Sequence, residues 1–221
     1  MKRIAWVILT IAAFLTACTN DGYETGDGKF SFLTSDFVEV FSNSQSMLTH
    51  AIDDNDKDIL FKTPQSCSWA ETADSTYRAL LYYNVTEGEQ AVEVYTISPV
   101  PVLRQRNATD VSEIHTDPLF VRSAWIGKNR KYLNLGIGVK SGTTEDPSEN
   151  LKQTIGIVCD EVITRSDGNK THRLRLLHNQ NGVPEYYTNW LYVSVPLDGI
   201  GENDEIELTV NTYQGEQTIR R

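Results

Sequence analysis

Four histidines, His50, His115, His172 and His178, are the side chains best suited to bind a metal or move a proton near neutral pH, and their spacing suits neither task. No H-E-x-x-H, Cys-x-x-Cys or Cys/His cluster gathers them. His172 and His178 share a face of any strand that holds both, but the extended chain between them spans roughly 20 Å, too far for one ion. No serine stands in a G-x-S-x-G elbow, and Cys67 and Cys159 carry no local signature of a nucleophile. The expectation is a protein that is not an enzyme, with no catalytic residue, no metal and no cofactor. The run Asp53-Asp54-Asn55-Asp56-Lys57-Asp58 offers the alternating oxygens that suit calcium. From Asp53 the fifth position is Lys57; from Asp54 the sixth is Ile59, where the loop needs Gly, and the twelfth is Gln65, where it needs Glu. A solvated hairpin turn is the better reading. Tyr186, Tyr187, Trp190 and Tyr192 form the densest aromatic group, and such residues stack on sugar rings, anchor a protein partner, or simply cover a sheet. These four are the candidate contact residues.

One covalent reaction is specified by the opening residues. Met1-Lys2-Arg3 supplies two cations, Ile4 through Phe14 is apolar, and Leu15-Thr16-Ala17-Cys18 follows. These are the regions of an export signal. The apolar part falls short of the roughly 20 residues that span a bilayer core. Leu15 to Cys18 resembles a bacterial lipobox, which implies diacylation of the Cys18 thiol, cleavage before it and acylation of the new amino group. Buried acyl methylenes contribute about 0.8 kcal/mol each, so two or more chains hold stably where one holds marginally. The predicted partner of Cys18 is therefore a membrane, reached through lipid rather than through a spanning helix.

The formal net charge is -10. Loss of residues 1–17 removes Lys2 and Arg3 and no acid, so the remainder is more acidic still. Nucleic acid is excluded as a partner, because its binding is driven by cations displacing counterions from phosphates. Anionic head groups also repel such a chain, which leaves attachment to the lipid. Cys67 and Cys159 do not make a disulfide-dense scaffold, so hydrophobic burial must carry the stability.

The elements that must position these residues read as strands. From Thr19 to Lys29 the chain is polar, acidic and Gly-rich, the composition of a flexible tether. Beyond it, apolar residues alternate with a period of two, as in strands buried on one face. Phe37 to Phe41 and Met47 to Ile52 pair around Ser42-Asn43-Ser44; Tyr77 to Val85 and Gln90 to Ile97 form a hairpin across Thr86-Glu87-Gly88-Glu89. Between Ser98 and Pro118 the pattern dissolves around Pro99, Pro101 and Pro118, with one helical turn expected near Asp110 to Ile114. Later, Leu133, Leu135, Ile137 and Val139 oppose Asn134, Gly136 and Gly138, whose small size suggests that something packs close to the outer face. Leu174 and Leu176, then Leu191, Val193, Val195 and Leu197, then Ile206, Leu208 and Val210 repeat the alternation. One-sided burial in successive short strands predicts a nearly all-β chain with antiparallel sheets stacked as a sandwich.

Asp117-Pro118-Leu119-Phe120-Val121, Trp125-Ile126 and Tyr132-Leu133-Asn134-Leu135-Gly136-Ile137-Gly138 resemble the NigD-like lipoproteins of the Bacteroidetes. The resemblance continues through Leu174 to Asn179, Val193 to Leu197 and Ile206 to Tyr213, and in the first half through Tyr77 to Tyr83. It implies an all-β chain: signal peptide 1–17, tether 18–30, OB-like barrel 31–105, then an immunoglobulin-like sandwich 106–221. The family takes its name from a component of a bacteriocin locus, and no catalytic residue comes with it. The resulting expectation is a non-catalytic, lipid-anchored outer-membrane protein, facing the cell surface or the periplasm. It presents a binding surface to a protein or envelope partner, with glycan binding through the Tyr186 to Tyr192 aromatics as the alternative.

Overall fold

The computed structural model describes residues 33–85, 88–144 and 151–221. Cys18, the signal segment and the tether lie outside the described residues.

The first half closes into a barrel. Its strands are β1 (Leu33–Ser42), β2 (Leu48–Asp53), β3 (Asp58–Gln65), β4 (Thr76–Asn84) and β5 (Ala91–Pro99), closed in the order β1-β2-β3-β5-β4. β1–β2, β2–β3 and β4–β5 pair antiparallel, whereas β3–β5 is parallel. Five strands in this closed order make an OB-like barrel. Alternation fills it: Val38 and Val40 from β1, Leu48 and Ala51 from β2, Ile59 and Phe61 from β3, Ala79, Leu81 and Tyr83 from β4.

The second half is a sandwich of β6 (Arg106–Asn107), β7 (Phe120–Ile126), β8 (Tyr132–Ser141), β9 (Thr154–Thr164), β10 (Lys170–Asn179), β11 (Tyr187–Pro196), β12 (Glu205–Thr212) and β13 (Gly215–Arg220). One sheet runs β13-β12-β10-β9-β6 and the other β11-β8-β7. Leu133, Leu135 and Ile137 face Leu174, Leu176, Ile206 and Leu208 across the core, with Val193 and Val195 beside them. The fold is thus all-β, an OB-like barrel followed by an immunoglobulin-like sandwich. The helical turn expected at Asp110 to Ile114 is instead a single 3-10 turn at Ala108–Asp110. Beyond it the chain must stay extended, because the His115 carbonyl accepts from His178 N–H and Asp117 N–H donates to the His178 carbonyl.

Candidate functional site

The outer face of the three-stranded sheet is built on β8. Asn134, Gly136, Gly138 and Lys140 point outward and stand opposite Ser194, Tyr192, Trp190 and Thr188 of β11 in an unbroken antiparallel register. On the other side Gly138 meets Phe120 and Gly136 meets Ser123, with a bulge at Arg122. The glycines leave room for rings. A Cβ on Gly138 would stand 2.9 Å from Trp190 Cζ3, and one on Gly136 would stand 2.5 Å from Ser123 Oγ and 3.1 Å from Tyr192 Cε1.

The two ends of this face differ. At the open end the Arg122 guanidinium lies 3.9 Å over the Trp190 ring, Phe120 sits 6.1 Å away, and Lys140 Nζ approaches Phe120 at 5.8 Å. Tyr213 stacks on Phe120 at 4.7 Å and donates its hydroxyl to Glu185 Oε2 at 3.0 Å. Burial, then that carboxylate, push the Tyr213 hydroxyl up to about 12. Neither Arg122 nor Lys140 has a carboxylate partner among the described residues, so an acidic chain presents a cationic and aromatic patch here.

At the other end the barrel covers the sheet. Arg78 of β4 forms a two-pronged pair with Asp54, Nη1 to Oδ1 and Nη2 to Oδ2 both at 2.7 Å. Its Nε donates to Ser194 Oγ at 3.1 Å and its Nη2 to Asn134 Oδ1 at 3.0 Å. Asn134 Nδ2 donates to Asp54 Oδ2 at 2.9 Å, and Ser194 Oγ donates to Asn134 Oδ1 at 2.7 Å. The guanidinium is capped by Tyr132, 4.2 Å to the ring centroid, and the Arg78 side chain is only 1% exposed. Around it Glu39 accepts from Tyr132 Oη and Lys131 Nζ, each at 2.9 Å. Burial raises the Glu39 carboxyl, but those two hydrogen bonds outweigh it and hold the group below the ordinary carboxylate range. Burial and Glu39 push the Tyr132 hydroxyl up to about 12. A buried charge with its donors and acceptors matched across both halves makes a joint between barrel and sandwich.

The Asp53 to Asp58 turn is the hairpin that the sequence suggests, joining β2 to β3 and exposed from Asn55 to Asp58, with Asp53 as its buried anchor. Asp53 is 4% exposed and accepts from Asn55 N–H at 2.7 Å and Lys57 N–H at 2.9 Å. Burial raises its carboxyl, but the bonds from Lys57 and Asn55 prevail and lower it. Asp54 turns into the joint, and its carbonyl accepts from Asn129 N–H of the β7–β8 loop at 3.0 Å. Within the turn Asp53 is buried and Asp54 half-buried, while Asn55 to Asp58 stay exposed.

The four predicted contact residues separate. Trp190, 47% exposed, centres the patch; Tyr192 packs at 5.1 Å on Phe37 of the barrel. Tyr187 alternates onto the other face of β11, and Tyr186, 72% exposed, lies over Gly142 at the strand's start. Phe120, Arg122, Lys140 and Tyr213 were not singled out from the sequence. The four histidines stay apart: His50 stacks on Phe41, His115 meets Glu113, His172 meets Asp204, and His178 lies between the Asp117 carbonyl and Gln153. Among the described residues no group of three or more His, Cys, Asp or Glu side chains could hold a metal. Cys67 and Cys159 are both free, one packed on each core, and burial pushes both thiols up. No described helix is long and apolar enough to cross a membrane.

Residues 100–220 match the profile of the NigD-like C-terminal beta sandwich domain. Among solved structures, a NigD-like immunity protein from Bacteroides caccae is similar with a TM-score of 0.61 at 22% identity, over 85% of this chain and 91% of that one. A protein of unknown function from Bacteroides vulgatus gives a TM-score of 0.64 at 20% identity, over 86% and 90%. A protein described as a candidate lipoprotein from Bacteroides fragilis gives 0.54 at 12% identity, over 86% and 95%. At these identities the likeness is one of fold. No curated protein matches the chain.

Proposed function

The chain belongs to the NigD-like family, and from that premise we propose that it is a non-catalytic, lipid-anchored protein of the outer membrane. Its two β domains, divided near residue 105, present a binding surface to a protein or envelope partner. The observation that carries this reading is the patch around Trp190. The barrel covers one end of the outer face through Arg78 and leaves Trp190, Phe120, Arg122 and Lys140 open at the other. Aromatic and Arg anchors of this kind dominate binding energy at protein interfaces. Their charge is opposite to that of the chain as a whole, which favours an acidic partner surface. Cys18 would supply the anchor, with the face toward the cell surface or the periplasm.

A photo-crosslinking residue at position 188, beside Trp190 on the same face, tests the reading in intact cells. The expected result is a crosslinked species that disappears with Trp190→Ala and with Arg122→Glu. A crosslinking pattern indifferent to both changes removes the patch from consideration. Mass spectrometry of protein from native membranes should find the acyl chains on Cys18; an unmodified thiol there ends the anchor part of the proposal.

Glycan binding through Tyr186, Tyr187, Trp190 and Tyr192 is the second reading, supported by the exposure of Tyr186 and Tyr187. Arg122 over the Trp190 ring and Phe37 against Tyr192 leave less ring face for a sugar. A glycan array probed with the protein and its Tyr187→Ala and Trp190→Ala variants separates the two readings, since retained sugars lost in the variants favour this one. A link to bacteriocin immunity rests on the family name and on the description of the Bacteroides caccae relative. Unchanged toxin sensitivity after gene deletion would remove it.

A further inference from the structure

The sandwich has a seam that the described residues close only in part. Between barrel and sandwich the linker passes the free edge of β11, where Ser194 N–H donates to the Pro101 carbonyl at 2.9 Å and Leu103 N–H donates to the Ser194 carbonyl at 2.9 Å. Val102 thereby forms a parallel bridge to Ser194. The linker then crosses to the other sheet, where Arg106 and Asn107 pair with Val158 and Cys159 of β9. At that level both edges are stitched together. Beyond it, toward the start of β11, the stitching stops among the described residues.

Since both backbone groups of Ser194 face away from β8, strand alternation in an unshifted register turns those of Tyr192, Trp190 and Thr188 the same way. These three have no backbone partner on that side among the described residues. Directly beneath lies a cleft of about 670 Å³ between the sheets, its apolar wall made by Leu103, Val139, Ile155, Leu191 and Val193, with Lys152 as its charged lining residue. An open row of donors and acceptors above an apolar slot is what a sandwich shows where a strand is missing.

We propose that the β11 edge from Thr188 to Tyr192 is an acceptor for an extended segment of a partner protein, which adds as a fourth strand and seats alternate apolar side chains in the cleft. The occupant is an extended strand because Pro101 to Leu103 already uses the same edge in that way, so the new segment continues an existing line of main-chain bonds. Its inward residues are aliphatic to match the wall, and an acidic residue at one end would meet Lys152. Polar groups that bond only through the backbone give affinity, and the slot gives selection. This goes beyond the outer-face reading, for it uses the edge and the slot and not the Trp190 ring, so either can fail alone.

The test is residue-resolved hydrogen exchange by NMR on the full chain, alone and with nine-residue peptides that alternate Val, Ile or Leu with Thr and carry Asp at one end. The proposal expects the amides of Thr188, Trp190 and Tyr192 to exchange freely in the protein alone and at least about tenfold more slowly with a binding peptide. Thr188→Pro removes one outward donor without touching a β8 bond and should weaken that peptide about tenfold. Unchanged exchange with every peptide at about 1 mM overturns the proposal. Slow exchange in the free monomer overturns it as well, by showing the edge covered by this chain. A dimer in sedimentation that protects the same amides shows a second copy to be the occupant, and that too overturns it. Peptide protection of the edge that survives in Trp190→Ala, together with a position-188 crosslink indifferent to that variant, would count against the outer-face reading alone.

Discussion

Arg78 is the residue on which most depends. It reaches Asp54 within the barrel and Asn134 and Ser194 of the sandwich at once, so its removal leaves a carboxylate and two polar groups enclosed without their partner. Breaking a buried pair by deleting one member costs about 3–5 kcal/mol, and Arg78→Ala is expected to lose that much in urea unfolding. Arg78→Lys keeps the charge but not the fork and should fall between the two. A second expectation concerns acid. The carboxyls of Glu39 and Asp53 lie below their ordinary values, and Asp204 is held at about 2, first by the N–H groups of Lys170 and Gly201 and then by His172. A depressed carboxyl binds its proton more readily in the unfolded chain, so its contribution is complete above the ordinary value near 4 and is lost as pH falls through the folded one. The melting temperature should therefore hold from about pH 7 to 5 and drop between about pH 4 and 2. Asp53→Asn should start lower and fall less steeply, and an identical acid limb in the variant would show that Asp53 has no part in it.

Strands carry the next level, and there the glycines of β8 make a contrast that can be measured. A methyl group on Gly136 meets Ser123 Oγ and a Tyr192 ring wedged against Phe37, whereas one on Gly138 meets Thr188 Cγ2 at 2.9 Å and a half-exposed Trp190 ring that has solvent on its outer side. Gly136→Ala should cost about 1–3 kcal/mol as overpacking, while Gly138→Ala should cost less, because lost chain entropy in the unfolded state offsets part of the displacement of Thr188 and Trp190. Trp190 should leave Arg122 in the second variant, read as a red shift of its fluorescence. Much of this sheet was legible beforehand: Leu133 to Val139 and Leu191 to Leu197 alternate over their whole length, and the small outward residues of β8 correctly implied a close neighbour. β3 was not legible. Only Ile59 and Phe61 of its eight residues are buried, and its parallel pairing with β5 spans only Leu60 and Phe61, so neither period nor turn chemistry marks it. The joint was hidden for a different reason. Arg78 is buried on the outside of the barrel, a surface that becomes interior only because the sandwich lies on it, and no local spacing ties it to Asn134 or Ser194. Arg122 falls at a bulge, where alternation loses count.

At the scale of the molecule, barrel and sandwich form one compact unit from Thr34 to Arg221. The Arg78 joint, the Glu39 contacts with Lys131 and Tyr132, and the bond from Asn129 to Asp54 all hold them together. Such a contact network predicts that the two halves unfold in a single transition, with urea curves by Trp fluorescence and far-ultraviolet dichroism superimposed. Arg78→Ala should pull those curves apart, and superposition in the variant would mean that the other contacts suffice. The same arrangement sets a limit on shape. Tyr192, already under Phe37, is two positions from Trp190 along β11, about 7 Å of strand. The barrel thus rises as a shoulder immediately beside the exposed indole. A broad flat body cannot settle on that floor without striking the step, so a visitor needs either a narrow tip or a notch that straddles the ledge.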